Sequence, residues 1–234
     1  MASTTVQIAR PPDEVFARVN KTLLLVGNGY MALRGLRRRR KAGWRSFDPV
    51  RLGELETAAW AGYYRREWLR VLRSFVLLMR EAFGFSWPAT LRGAWYVLRA
   101  NQLWAPVPDN DPDGAREQMR RFYELLRGRY GSPADARRAA ELEVEWWRLH
   151  RADQYSGEDG SAPLTHALSA SYAYLYGIEE QATLPAARER VEAMRLSDAW
   201  VSAGCGVSDP RLEQERAALV RSYAFLLAAV HSPT

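Results

Sequence analysis

Four times in this chain a capping residue followed directly by proline precedes a stretch of helical periodicity: Asp48-Pro49, Asp111-Pro112, Ser132-Pro133 and Asp209-Pro210. An Asp or Ser side chain accepts a hydrogen bond from a first-turn amide, and proline fits the first helical position because its missing N–H would be unpaired there anyway. Ser86-Trp87-Pro88 and Ser161-Ala162-Pro163 are looser versions of the same device. Apolar residues then follow at intervals of three and four, as in Ala115, Met119, Phe122, Leu126 and in Leu212, Leu219, Tyr223, Leu226, Val230. From residue 48 onward no segment sustains the alternation of a strand, so the pattern predicts an all-α fold.

The spacing predicts about seven helices, over 49–83, 88–104, 112–127, 133–153, 163–176, 185–202 and 210–230. They are expected to form a single globular bundle over 47–234. Residues 1–46 read as a short, irregular, basic N-terminal arm. With 47% hydrophobic and 12% aromatic residues, nine of them Trp, the 234-residue chain has the means to build a sizeable core and lacks the composition of a disordered one.

The net charge of +6 is concentrated. Arg34, Arg37, Arg38, Arg39, Arg40, Lys41 and Arg45 lie in a stretch without a single acid, which leaves the rest of the chain near neutral. A general nucleic-acid surface would spread its cations over a face of the body. The segment 34–45 is read instead as a solvated charge run or as a local anion-binding patch, with Arg37, Arg38, Arg39, Arg40 and Lys41 as its core. The anionic partner would be nucleic acid, an acidic protein or a lipid surface. Cys205 is the only cysteine, so no internal disulfide can form. The first residues lack a charged region followed by an apolar one, and the most apolar run, Phe75 to Met79, is far shorter than a membrane span. A cytoplasmic location is the expectation.

Candidate chemistry lies on one helix. In Glu141–His150 the residues Leu142, Trp146 and Leu149 make an apolar stripe, while Glu141, Glu145 and Arg148 make a charged one. Between them Glu143, Trp147, His150 and Gln154 share a mixed stripe. A helix needs one apolar face to dock. A second face carrying a carboxylate, an indole and an imidazole suggests a polar site. Two other acids sit on apolar stripes: Glu67 among Trp60, Tyr64, Val71 and Phe75, and Asp198 among Val191, Met194 and Val201. A buried charge costs several kcal/mol, roughly, unless paired. These acids are therefore either matched by arginine or lie at a functional site. The site reading assigns proton transfer to Glu143, His150, Glu67 and Asp198, and stacking to Trp147 and Tyr64.

The spacing Glu143-x6-His150 resembles the Glu-x6-His element of the helical di-iron oxidases with a haem-oxygenase-like fold. The resemblance covers eight residues and implies an iron centre completed by an Asp-x3-His element. Here Asp198 is followed at the fourth position by Ser202, so His166 would have to serve from another helix. No metal and no cofactor is assigned. Leu24–Gly35 resembles the Leu-Gly-Asn-Gly-Tyr-x-Gly-x-Arg-Gly segment of the disaccharide phosphorylases with an (α/α) barrel, but the chain is too short for that barrel and their activity is not carried over. Asp109-Asn-Asp111-Pro-Asp113-Gly114 begins like a calcium loop, yet its twelfth position is Arg120 and helix capping explains the acids. The sequence thus supports an internal small-molecule site, with an interaction module acting through its basic arm as the competing reading.

Overall fold

A computed structural model describes residues 43–232, apart from 133 and 157–159. Eight helices and no strands make up the described residues. They are α1 (Pro49–Tyr64), α2 (Trp68–Phe83), α3 (Trp87–Trp104), α4 (Pro112–Tyr130), α5 (Ala136–Ser156), α6 (Ser161–Tyr176), α7 (Glu180–Ser202) and α8 (Pro210–His231). None of them is long and apolar enough to cross a membrane. The basic residues Arg37, Arg38, Arg39, Arg40 and Lys41, the glycine-rich turn near Gly27 and the rest of the predicted arm up to residue 42 lie outside the described residues.

Three of the Asp- or Ser-Pro pairs cap helices as expected. Asp48 accepts from the amides of Val50 (3.0 Å) and Arg51 (3.2 Å). Asp111 accepts from Gly114 N (2.8 Å), and Asp209 from Arg211 N (2.9 Å). The fourth does not: α5 starts later, where the Asp135 carboxylate accepts from Arg138 N at 2.9 Å. α7 begins at Glu180, so Pro185 falls inside the helix instead of opening it. The Glu180 carbonyl near that proline accepts from the hydroxyls of Ser169 and Thr183, each at 2.9 Å.

The predicted helix 49–83 is two helices, which is why there are eight and not seven. Arg66 takes a left-handed conformation (φ 60°), and Glu67 N–H returns to the Gly62 carbonyl (2.8 Å). Gly62 eases the close approach at this reversal, since a Cβ there would lie 3.2 Å from Val71 Cγ2, a tight contact. The apolar spacing runs straight through the break and conceals it.

Each helix packs chiefly on its two neighbours in sequence, and α8 packs on α1. The eight helices therefore close into a ring. Short links turn successive helices antiparallel. Ring closure depends on small residues. A Cβ on Gly53 would stand 2.6 Å from Val220 Cγ2 and 3.1 Å from Val220 N, so only glycine permits this approach of α1 to α8. Between α7 and α8 the Ser222 hydroxyl donates to the Ala186 carbonyl at 2.8 Å, both residues being buried.

The two ends of the ring differ. At one end α2, α4 and α6 each stop at a left-handed glycine, Gly84, Gly131 and Gly177. Residues 43–47 fold across this end. Trp44 stacks on Tyr176 (5.1 Å between centroids), Arg45 lies over Trp44 (4.7 Å) and donates to the Tyr176 carbonyl, and His231 Nε2 lies 2.7 Å from the Arg45 carbonyl. At the other end the links 105–111 and 203–209 are longer than any at the first end. Long loops at one end of a rigid scaffold are where binding residues concentrate.

Candidate functional site

The ring encloses a cavity of about 310 Å3, to which all eight helices contribute. At the blocked end its floor is Phe47, Phe83 and Tyr176. Its walls include Leu78, Met119, Phe122, Leu168, Leu219 and Leu226. Only three of the lining residues are strongly exposed: Val107, Gln154 and Tyr155, all at the end with the long links. The cavity is thus a cup with its mouth between the α3–α4 link and the end of α5.

The mixed stripe of α5 faces this cup. Glu143, Trp147, His150 and Gln154 all line it, while Glu145 and Arg148 pair with each other on the outside (2.7 Å). From α7 Asp198 meets the stripe: His150 Nε2 lies 3.1 Å from one carboxylate oxygen, and Gln154 Nε2 donates to the other at 2.6 Å. The two partners are one helical turn apart on α5, so a single carboxylate joins both across the ring. Tyr64 also lines the cavity, its phenol raised by burial and by Asp198, Tyr63 and Glu215 nearby. Five of the six residues assigned from sequence therefore converge.

Glu67 does not. It sits in the reversal between α1 and α2, outside the cavity lining, paired with Arg65 (2.9 Å) and Arg70 (3.0 Å). The break at Arg66 rotates it off the face that a continuous helix would have given it.

Glu143 accepts a hydrogen bond from Tyr123 OH at 3.0 Å. Burial raises its carboxyl above the usual range, with Trp146, Tyr123, Arg190 and Trp147 acting in the opposite direction. Its oxygens face an enclosed space and not bulk water, so the protonated form is favoured.

Three charged residues of the cavity escaped the sequence reading. Glu56 on α1, only 6% exposed, accepts from both terminal nitrogens of Arg190 on α7 (2.8 Å for Nη1), from Tyr223 OH on α8 and from Trp60 Nε1 (3.3 Å). This cluster ties the three helices at the ring's closure. Burial works against the Arg190 charge, but Glu56, Tyr172 and Tyr223 overcome it and hold the guanidinium protonated. The third is Glu215 on α8, 2% exposed, whose Oε2 has no hydrogen-bond partner among the described residues. Burial first, then Glu56, pushes its carboxyl up to about 8, with Arg190 opposing and Asp198 adding to the rise. The signal for all three was present. Glu56 lies between Leu52 and Trp60, Arg190 precedes Met194 and Asp198, and Glu215 lies between Leu212 and Leu219, each at helical spacing.

At the mouth Arg151 donates to the carbonyl of Trp104 (2.8 Å) at the end of α3 and lies over its ring (4.3 Å). It makes no ion pair among the described residues. Burial lowers its pKa, with Tyr155, Tyr63 and Tyr64 opposing.

Among the described residues no three His, Cys, Asp or Glu side chains stand close enough to hold a metal ion. His166 is on the outside of α6, exposed and near Glu180 (3.7 Å). The donor set implied by the Glu-x6-His resemblance is therefore not assembled, and no step is derived through iron. The acids of the calcium-like stretch serve α4: Asp111 caps it and Arg120 binds Glu117 (2.7 Å). The Cys205 thiol is raised by burial, with Arg65 opposing, which disfavours a nucleophilic thiolate. No known protein family matches the chain, and neither a curated protein nor a solved structure does.

Proposed function

We propose that the ring is a vessel for a small, mostly apolar molecule that enters at the open end and exchanges a proton with the buried carboxyls Glu215 and Glu143. The observation that carries this reading is Glu215: a carboxyl 2% exposed, lining a cavity, with an oxygen that has no hydrogen-bond partner among the described residues. Leaving such a group unsatisfied costs about 1–3 kcal/mol. A fold selected for stability alone would replace it with leucine, so a bound molecule is the natural partner for that oxygen.

The volume lies at the small end of the range of roughly 300–1,000 Å3 usual for ligand sites, and a mostly apolar wall with a few convergent polar groups is their usual composition. A carboxyl that stays protonated at neutral pH can donate its O–H to a ligand oxygen and act as a general acid. His150, held by Asp198 near the mouth, supplies a second proton-carrying group. Arg45, the described member of the basic segment, is engaged at the blocked end and favours no competing reading.

The test uses indole, acetophenone and neopentylbenzene as neutral probes, followed by the indole N–H resonances of Trp60 and Trp147. Saturable shifts are expected, and the cavity-filling substitution Met194→Trp should abolish them. Absence of saturable shifts with every probe, or shifts unchanged in M194W, would overturn the reading.

A further inference from the structure

The polar groups of the cavity are unequally satisfied, and the imbalance indicates the charge of what binds there. Glu56 is matched by Arg190, Tyr223 and Trp60, and Asp198 by His150 and Gln154. Arg151 is occupied by the carbonyl end of α3. What remains is acidic: Glu143, with Tyr123 and the indoles of Trp146 and Trp147 beside it, and Glu215, whose buried Oε2 has no hydrogen-bond partner among the described residues. An anion would find Arg190 already paired with Glu56, and Arg151 held by the Trp104 carbonyl at the mouth.

The rings around Tyr64, which Asp198 and Glu215 both influence, favour the opposite charge. Tyr63 meets Trp60 and Tyr64 at steep angles, with centroids 6.1 Å and 5.3 Å away, while Trp60 and Tyr64 are tilted by 31° at 6.5 Å. Such a corner presents ring faces whose quadrupoles attract cations. The lining already uses this chemistry on itself, since Arg151 lies over Trp104 at 4.3 Å and Arg190 near Tyr223 at 5.8 Å.

We infer that the cavity's ligand is an organic cation, an amine or quaternary ammonium on a compact apolar body, held between the rings of Trp60, Tyr63 and Tyr64 and the carboxyl of Glu215. This rests on reading the cavity as a small-molecule site. Glu215 is faced by Glu56 and Tyr64 from α1 and by Arg190 and Asp198 from α7. With its carboxyl pushed up to about 8, it is mostly protonated at pH 7, and a cation must expel that proton to gain the full ion pair. Affinity for a permanently charged ligand should therefore rise with pH. From pH 7 to 9 the ionised fraction grows about tenfold, and the dissociation constant falls by about the same factor.

The experiment compares benzyltrimethylammonium with its uncharged isostere neopentylbenzene by NMR titration of the full-length protein. The cation is expected to bind at least about tenfold more tightly at pH 9 and to weaken about tenfold at pH 7. Glu215→Gln should remove both the pH dependence and most of the preference for the cation over neopentylbenzene. If neopentylbenzene binds as tightly as the cation, or E215Q binds the cation as well as the parent does, the inference fails and the cavity reading stands. If neither probe binds, both fail.

Discussion

Glu215→Gln should change the pH dependence of folding in a defined way. In the unfolded chain this carboxyl titrates near its ordinary value of 4.5, whereas in the fold burial and Glu56 lift it to about 8, against the pull of Arg190. Below 4.5 both states are protonated and the titration of the residue contributes nothing. Between 4.5 and 8 the unfolded chain has released a proton that the folded protein still holds, so each pH unit removes about 1.4 kcal/mol of stability. At pH 7 the accumulated loss is about 3 kcal/mol, and above pH 8 it approaches 5 kcal/mol, both as orders of magnitude. Glutamine has nearly the same shape and no proton to lose. Urea unfolding of E215Q and the parent at pH 5 and pH 8.5 should therefore show a small difference at the lower pH and several kcal/mol in favour of the variant at the higher one. Comparing the two proteins at each pH cancels most of the titration of other groups. A difference that is the same at both pH values would refute the argument, because the residue would then not be a carboxyl held protonated by its surroundings.

Two further outcomes test the ring itself. Gly53→Val places a branched side chain where even a methyl would meet Val220 at 2.6 Å, so the variant should lose about 1–3 kcal/mol in urea unfolding despite valine's better helix propensity, and combining it with Val220→Ala should recover part of the loss. Trp44→Ala removes a buried ring stacked on Tyr176 and should cost about 3–5 kcal/mol, read as a lowered melting temperature.

Much of the fold was legible because capping and periodicity are local. The Asp-Pro pairs locate the starts of α1, α4 and α8 by geometry that no tertiary contact needs to supply. The reversal at 65–67 was not legible, since the close approach of Gly62 to Val71 that accompanies it exists only once the two helices have folded back on each other. The same break explains why Glu67 was placed with the site. Glu143 and His150 were found because an acid and an imidazole on a second helical face stand out within one segment, and Asp198 because it interrupts an apolar stripe. Glu56 and Glu215 stood on the apolar stripes of α1 and α8 in the same way. Their meaning depends on Arg190 and on each other, which are brought together from helices over a hundred residues apart.

Closing the ring with its first and last helices also orders events during synthesis. Glu56 must wait for Tyr223, 167 residues later, before its hydrogen bonds are complete. Until α8 emerges, the incomplete array exposes the apolar wall of the cup and an acid without its full complement of partners. Loop-closure entropy alone is a weak obstacle, about 0.6 kcal/mol for each doubling of length. The hazard is kinetic: this face is the one a nascent chain would offer to other chains, and the hydroxyl of Tyr223 reaches Glu56 only once α8 has been made.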